Sequence, residues 1–193
     1  MDPLEKFIEL FARARATPGF AEPTGMTLAT VGADGRPSSR VVLLKSVDAA
    51  GLVFYTNTLS RKGRDIAAHP EVALSFWWPH LEAQVRFEGR ALRVPDSEAD
   101  AYFTTRPRES QLGAWASSQS EKLSSREELE QRFAALERKY QGKIVPRPLH
   151  WSGYRVAPLA IEFWFNRPGR LHLRELYTRR APGEAWTMTL LNP

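Results

Sequence analysis

The sequence predicts a mainly β protein with added helices: an antiparallel sheet closed into a barrel, with the helices packed outside. Three observations carry this. Runs of strand length, either apolar or alternating, are bounded by turn residues such as Asp34-Gly35. The elements come as strands, then helices, then strands, without regular βαβ alternation. No repeat, low-complexity stretch or linker divides the 193 residues, so a single domain over 1–193 is expected.

Leu4, Phe7, Ile8 and Phe11 recur at helical spacing and predict an opening amphipathic helix. Thr17 to Gly25, rich in Pro and Gly, predicts a loop, so 1–25 forms an N-terminal helix and loop. Met26 to Val31 reads as a strand, and Asp34-Gly35 as the turn of a hairpin. Ser38 to Lys45 holds Val41, Val42, Leu43 and Leu44 and predicts a buried strand; Gly51 to Thr56 predicts another. Ser60 to Ala68 is a short helix with Ser60 as its N-cap and His69-Pro70 as its stop. Val72 to Trp77 and Ala83 to Val94 follow as strands. A helical insertion, 96–145, contains one helix from Asp96 to about Thr105, broken by Pro107, and another from Arg126 to Tyr140. Tyr154 to Val156 with Leu159 to Trp164, Arg170 to Tyr177, and Trp186 to Leu191 predict the final strands.

The composition removes several classes of function. With no cysteine there is no disulfide, thiolate metal site or cysteine nucleophile, and a cytoplasmic location is the expectation. The four histidines stand singly, without metal-ligand spacing, so no metal is expected. No run approaches the ~20 apolar residues of a membrane helix. The net charge is +5, but the bases are dispersed and the aromatics sit in apolar strands, which predicts no nucleic-acid partner.

Five constellations remain. Ser60-Arg61-Lys62-Gly63 puts a cap hydroxyl and two cations at a helix start, where free N–H groups favour phosphate; the glycine would admit a ligand to the backbone. Arg40 and Lys45 differ in strand parity and should point to opposite sides. Tyr102, Arg106 and Ser110 would share one face of a continuous helix and suit a phosphate dianion, although Pro107 interrupts that helix. Gln111 to Ser120 is rich in small polar residues, which by composition favours a surface loop. In Arg170-Leu171-His172-Leu173-Arg174, strand alternation would set the three basic residues on one face, needing an anionic or polar partner, and the two leucines in the core.

Taken in order, these segments resemble the pyridoxine/pyridoxamine 5′-phosphate oxidase family, FMN enzymes with an antiparallel split β-barrel. The matching stretches are Arg40-Val-Val-Leu-Leu-Lys45, Phe54-Tyr-Thr-Asn57, Ser60-Arg-Lys-Gly63, Gln84-Val-Arg86, Tyr102-Phe103 with Arg106-Pro107, Ser110-Gln-Leu-Gly-Ala-Trp115, Gln119-Ser120, Glu162-Phe-Trp164 and Arg170-Leu-His172 with Arg174. The resemblance implies a homodimer with FMN at the subunit interface. It implies FMN contacts from Arg40, Val41, Leu43, Leu44, Lys45, Tyr55, Thr56, Arg61, Lys62, Gln84, Gln119, Ser120, Trp164 and Arg174. Lys45, Tyr102, Arg106 and Ser110 would hold a substrate phosphate, and Arg170 and His172 would lie over the substrate ring as the catalytic pair. The implied reaction oxidises the C4′ alcohol or amine of the 5′-phosphate to the aldehyde, with dioxygen as acceptor and hydrogen peroxide as co-product.

Three positions depart from the family's pattern. Phe165 stands where it has Gln, Leu173 where it has an acid, and Leu190-Leu191-Asn192-Pro193 where it ends Arg-Leu-x-Pro. The N-terminus is also short, without the basic arm of many members. Phe165, Leu190 and the short N-terminus motivate an alternative, a related FMN oxidase acting on another ring such as a phenazine precursor. The retained Tyr102, Arg106 and Ser110 argue for the phosphate.

Overall fold

In a computed structural model, residues 2–19 and 21–193 are described. Nine strands form one antiparallel sheet: β1 (Gly25–Val31), β2 (Pro37–Leu43), β3 (Ser46–Asp48), β4 (Gly51–Asn57), β5 (Glu71–Trp78), β6 (Ala83–Arg93), β7 (Trp151–Phe165), β8 (Leu173–Thr178) and β9 (Thr187–Leu191). The helices are α1 (Pro3–Ala16), α2 (Arg61–Ala68), α3 (Asp96–Thr105), α4 (Arg108–Ala116) and α5 (Arg126–Lys139). The main strand path is β2-β1-β5-β6-β7-β4-β3, with β8 and β9 added beside β7. β2 and β3 end that path yet are joined by only Leu44 and Lys45, so the sheet must curl until its ends meet. The Lys45 N–H seals this closure by donating to the Val53 carbonyl at 2.8 Å.

Leu28, Leu74, Phe76, Val85, Phe87, Ile161 and Phe163 fill the inside of the curl, and α1 plugs it with Leu4, Phe7 and Leu10. The Phe7 ring meets Phe87 edge-on at 4.8 Å and Phe76 at 5.1 Å. Asp2 caps α1 through the Leu4 N–H, and Pro3 suits a first turn whose N–H groups have no helical partner. Lys6, on the same helix, pairs with Glu175 of β8 and lies 4.8 Å over the Phe163 ring.

Four expectations need correction. The stretch from Tyr154 to Trp164 is one continuous strand that starts earlier, at Trp151. β7 pairs with β4 up to Val156 and with β8 from Ala160, so Pro158, which lacks an N–H, falls where the partner changes, beside a bulge at Glu88/Gly89. β2 is an edge strand, and Val41 is 66 % exposed in the single chain. The small-residue stretch from Gln111 is helical as far as Ala116, because Leu112 and Ala116 are one turn apart and both buried. The strand expected from Arg170 begins only at Leu173. Pro168-Gly169 makes a turn in which Gly169 (φ 65°) and Arg170 (φ 61°) are both left-handed.

Candidate active site

β4 and the end of β2 form one wall of a cavity of about 450 Å³. Of the residues expected to bind cofactor or substrate phosphate, Val41, Leu43, Lys45, Tyr55, Thr56, Tyr102, Arg106, Ser110 and Gln119 line it. Pro107 does break the helix, but Arg106 at the junction is extended and α4 restarts at Arg108. The break therefore brings Tyr102, Arg106 and Ser110 around the same space as Lys45. Arg106 carries the clearest sign of a missing partner: its Nη1 is buried without a hydrogen bond. Burial also lowers its pKa, an effect that Tyr102 partly opposes.

Beside this cavity Lys62 is buried, and its Nζ donates to Thr56 Oγ1 (3.1 Å), Ser60 Oγ (3.1 Å) and Gln119 Oε1 (2.9 Å). These are neutral oxygens, and among the described residues no carboxylate pairs with Lys62. Burial first, and then Arg40, lowers its pKa to about 8. Ser60 caps α2 through the Gly63 N–H, as expected. Gly63 serves packing rather than ligand access, since a Cβ there would stand 2.1 Å from the Thr58 carbonyl oxygen. Arg61 is exposed in the first turn, Ser120 is exposed with a left-handed φ of 74°, and Leu44 is buried in the main core. Arg40 does not line the cavity that Lys45 lines. It donates to Thr30 Oγ1 and Ser38 Oγ, both at 2.7 Å, and lies 3.7 Å from Asp65.

Of the remaining five candidates, none of which lines the cavity, Gln84, Trp164, His172 and Arg174 cluster on the outer face of β6, β7 and β8. Gln84 is paired with Trp164, and Trp164 with Arg174. His172 precedes the strand, yet its ring still lies 4.5 Å from Trp164 and its Nδ1 accepts the Arg167 N–H. Arg170 is exposed in the turn before it, so the single cationic strand face does not form. Leu171 is not in the core either, being 74 % exposed. The anion expected beside Arg174 is internal: the buried Glu162 accepts from Arg174 Nε at 2.8 Å and from Arg86 at 3.3 Å.

Sequence reasoning passed over Trp151, which lines the cavity and stacks on Tyr55 at 5.2 Å and 8°. Its signal was Gly153, a glycine inside a strand, which marks close approach of another group. Gly153 pairs with Tyr55, and a Cβ there would come within 2.7 Å of that ring. Phe165 and Leu173 are also paired directly, on the α1 side of the sheet, where Lys6 lies 5.6 Å over the Phe165 ring.

The chain is similar to proteins of one family. Residues 13–140 match the family described as pyridoxamine 5′-phosphate oxidase, and residues 151–193 match the pyridoxine 5′-phosphate oxidase C-terminal dimerisation region. A pyridoxine/pyridoxamine 5′-phosphate oxidase of Myxococcus xanthus is 57 % identical over 192 residues, covering 100 % of this chain and 92 % of the relative. Among solved structures, PhzG of Burkholderia lata, in complex with tetrahydrophenazine-1-carboxylic acid, is 34 % identical with a TM-score of 0.88, covering 98 % of this chain and 90 % of its own. A pyridoxamine 5′-phosphate oxidase-related, FMN-binding protein of Nostoc punctiforme shares the fold at 18 % identity, with a TM-score of 0.78 and coverage of 100 % and 99 %. With its curled antiparallel sheet, its lined cavity and these matches over nearly its whole length, the chain belongs to the pyridoxamine 5′-phosphate oxidase family.

Proposed function

We propose that the protein oxidises pyridoxine 5′-phosphate or pyridoxamine 5′-phosphate to pyridoxal 5′-phosphate, using FMN and dioxygen and releasing hydrogen peroxide. The observation that carries this reading is the buried, unpartnered Nη1 of Arg106, in a cavity it shares with Lys45, Tyr102 and Ser110. A guanidinium, an ammonium and two hydroxyls are what a phosphate dianion requires, and a phosphate-free ring would leave the guanidinium unsatisfied. That favours the B6 phosphate over the phenazine precursor suggested by the PhzG likeness and by Phe165 and Leu190.

A phosphate-bearing flavin fits beside it. Lys62 is a buried cation with only neutral oxygen partners, next to a helix start and Arg61. FMN would supply the redox chemistry when bound, a two-electron oxidation of the substrate at C4′ at the expense of dioxygen. The chain's residues bind and orient. In this reading Lys62, Arg61, Gln119, Ser120 and Thr56 hold the flavin phosphate, and Arg40, Val41, Leu43, Leu44, Lys45 and Tyr55 border the rest of the flavin. Two phosphate grips fix both reactants, which turns their encounter into a nearly unimolecular step.

The second cluster completes the site from a partner copy. The dimerisation region contains Trp164, Arg170, His172 and Arg174; Trp164 and Arg174 share one outer face with Gln84, His172 packs on Trp164, and Arg170 lies in the turn before β8. Across a twofold axis each protomer would present this face to the other's cavity, with Arg170 and His172 over the substrate ring. The exposed Val41 and Trp77, at 66 % and 51 %, are apolar surface that such a dimer would cover.

The purified protein should be yellow, and pyridoxamine 5′-phosphate should bleach the flavin under anaerobic conditions. Air should restore the colour and yield peroxide with pyridoxal 5′-phosphate. A yellow protein inert to both 5′-phosphates would end the substrate assignment. Lys62 adds a pH signature. Its pKa of about 8 in the free protein must rise when a phosphate dianion binds, so binding takes up a proton above that pH. FMN affinity is therefore highest below pH 8 and falls by up to about tenfold per pH unit above it, while riboflavin affinity lacks this phosphate-linked loss. Flavin fluorescence titrations of the apoprotein measure both, and parallel curves would remove Lys62 from the phosphate site.

A further inference from the structure

We infer that Trp151 is a positioning residue for phosphate recognition: its indole is the platform that holds the Arg106 guanidinium ready for the substrate phosphate. The inference rests on the reading that this cavity receives a 5′-phosphate. The Arg106 Cζ lies 4.5 Å from the Trp151 ring, closer than the 5.5 Å to Phe103. Among the described residues Arg106 has no carboxylate partner, and its Nη1 is buried without a hydrogen bond. An aromatic face is thus the principal group balancing a desolvated cation, and an indole offers the strongest face of the three aromatic side chains.

The platform is itself immobilised. Trp151 is 6 % exposed, lies nearly parallel to Tyr55 (5.2 Å, 8°) and meets Phe103 edge-on at 5.1 Å. Tyr55 in turn stacks on Tyr102 at 4.1 Å and 17°. The stack therefore links both phosphate-facing side chains of the α3 end, Tyr102 and Arg106, to one rigid strand residue. An unsupported arginine samples many rotamers, and each ordering event weakens binding. Trp151 removes that cost by fixing the guanidinium, and the fork of N–H donors on the fixed group is left to meet the phosphate.

The test compares Trp151→Leu and Trp151→Phe with the wild-type holoenzyme, using pyridoxamine 5′-phosphate and phosphate-free pyridoxamine. A wild type indifferent to the phosphate would refute the underlying reading, whatever the variants do. Given that preference, Trp151→Leu should raise KM for the 5′-phosphate by about tenfold with little change in kcat, and lower kcat/KM for pyridoxamine by a clearly smaller factor. Binding of inorganic phosphate, measured by calorimetry on the flavin-loaded protein so that the cofactor's own phosphate site is filled, should weaken in parallel. Trp151→Phe keeps an aromatic face and should lose only about two- to threefold, again chiefly on the 5′-phosphate. Equal losses on both substrates, or an unchanged KM in the leucine variant, would overturn the inference. If the leucine variant does not fold, the phenylalanine variant decides by the same contrast.

Discussion

Replacing Arg106 by methionine lowers kcat/KM for pyridoxamine 5′-phosphate by about a hundredfold or more and leaves flavin loading intact. Methionine keeps much of the apolar stem but removes every donor. Hydrogen bonds to a charged partner contribute about 1.5–3 kcal/mol each, and a guanidinium offers two to a phosphate, so a loss of about 3 kcal/mol is a conservative expectation. Free-protein stability should hold or rise, since the variant also removes a buried, unpaired cation. Steady-state kinetics with flavin absorbance measured on the same sample separate the two effects. The same variant tests the shared site. His172→Ala should also be nearly inactive, yet co-refolding the two should restore activity in about a quarter of the sites, because each mixed dimer builds one intact site from one chain's cavity and the other's histidine. No recovery on mixing would show that cavity and histidine act within one chain.

The second large effect is on stability. Gly51 begins β4 with φ 131°, a conformation L side chains rarely adopt, and a Cβ there would stand 2.0 Å from the Val156 carbonyl oxygen. Both the strain and the overlap fall on backbone, so neither relaxes by turning a side chain. Gly51→Ala should cost about 3 kcal/mol or more, and for a chain of this size that lowers Tm by roughly 6–12 °C. Flavin should be lost early in the melt, because β4 carries Tyr55 and Thr56 into the cavity. A thermal scan followed at the flavin band and in the far ultraviolet checks both. An unchanged Tm would mean the strand end can retreat from β7.

Much of the fold was legible because local signals and long-range pairing agreed. The Asp34-Gly35 loop does join β1 to β2, with Gly35 at φ 76°, and Ser60 does cap α2. Tyr102, Arg106 and Ser110 do converge, although through an extended residue and a new helix rather than along one face. What sequence misread depended on partners it cannot display. The alternation from Arg170 to Arg174 looked like a strand, but Pro168-Gly169 turns the chain, and the ladder opens only at the Phe165–Leu173 pair. The apolar run in β2 looked buried, yet it lies at an edge of the single chain. Trp151 carried no periodic signal of its own, and its importance comes from what β4 and α3 lay against it.

The Phe165–Leu173 pair has a consequence for how this chain can change. Two of the three departures from the pattern that the resemblance implies face each other across one rung of the sheet, under Lys6, on the opposite side from Trp164 and His172. They act as a single apolar replacement of a polar pair. Restoring glutamine at 165 alone would strand an amide against leucine, and restoring an acid at 173 alone would set a carboxylate against phenylalanine. Each single reversion should therefore be worse than the double, a case of epistasis confined to one rung. A lineage, or an engineer, would have to cross it in two steps with a less stable intermediate between them.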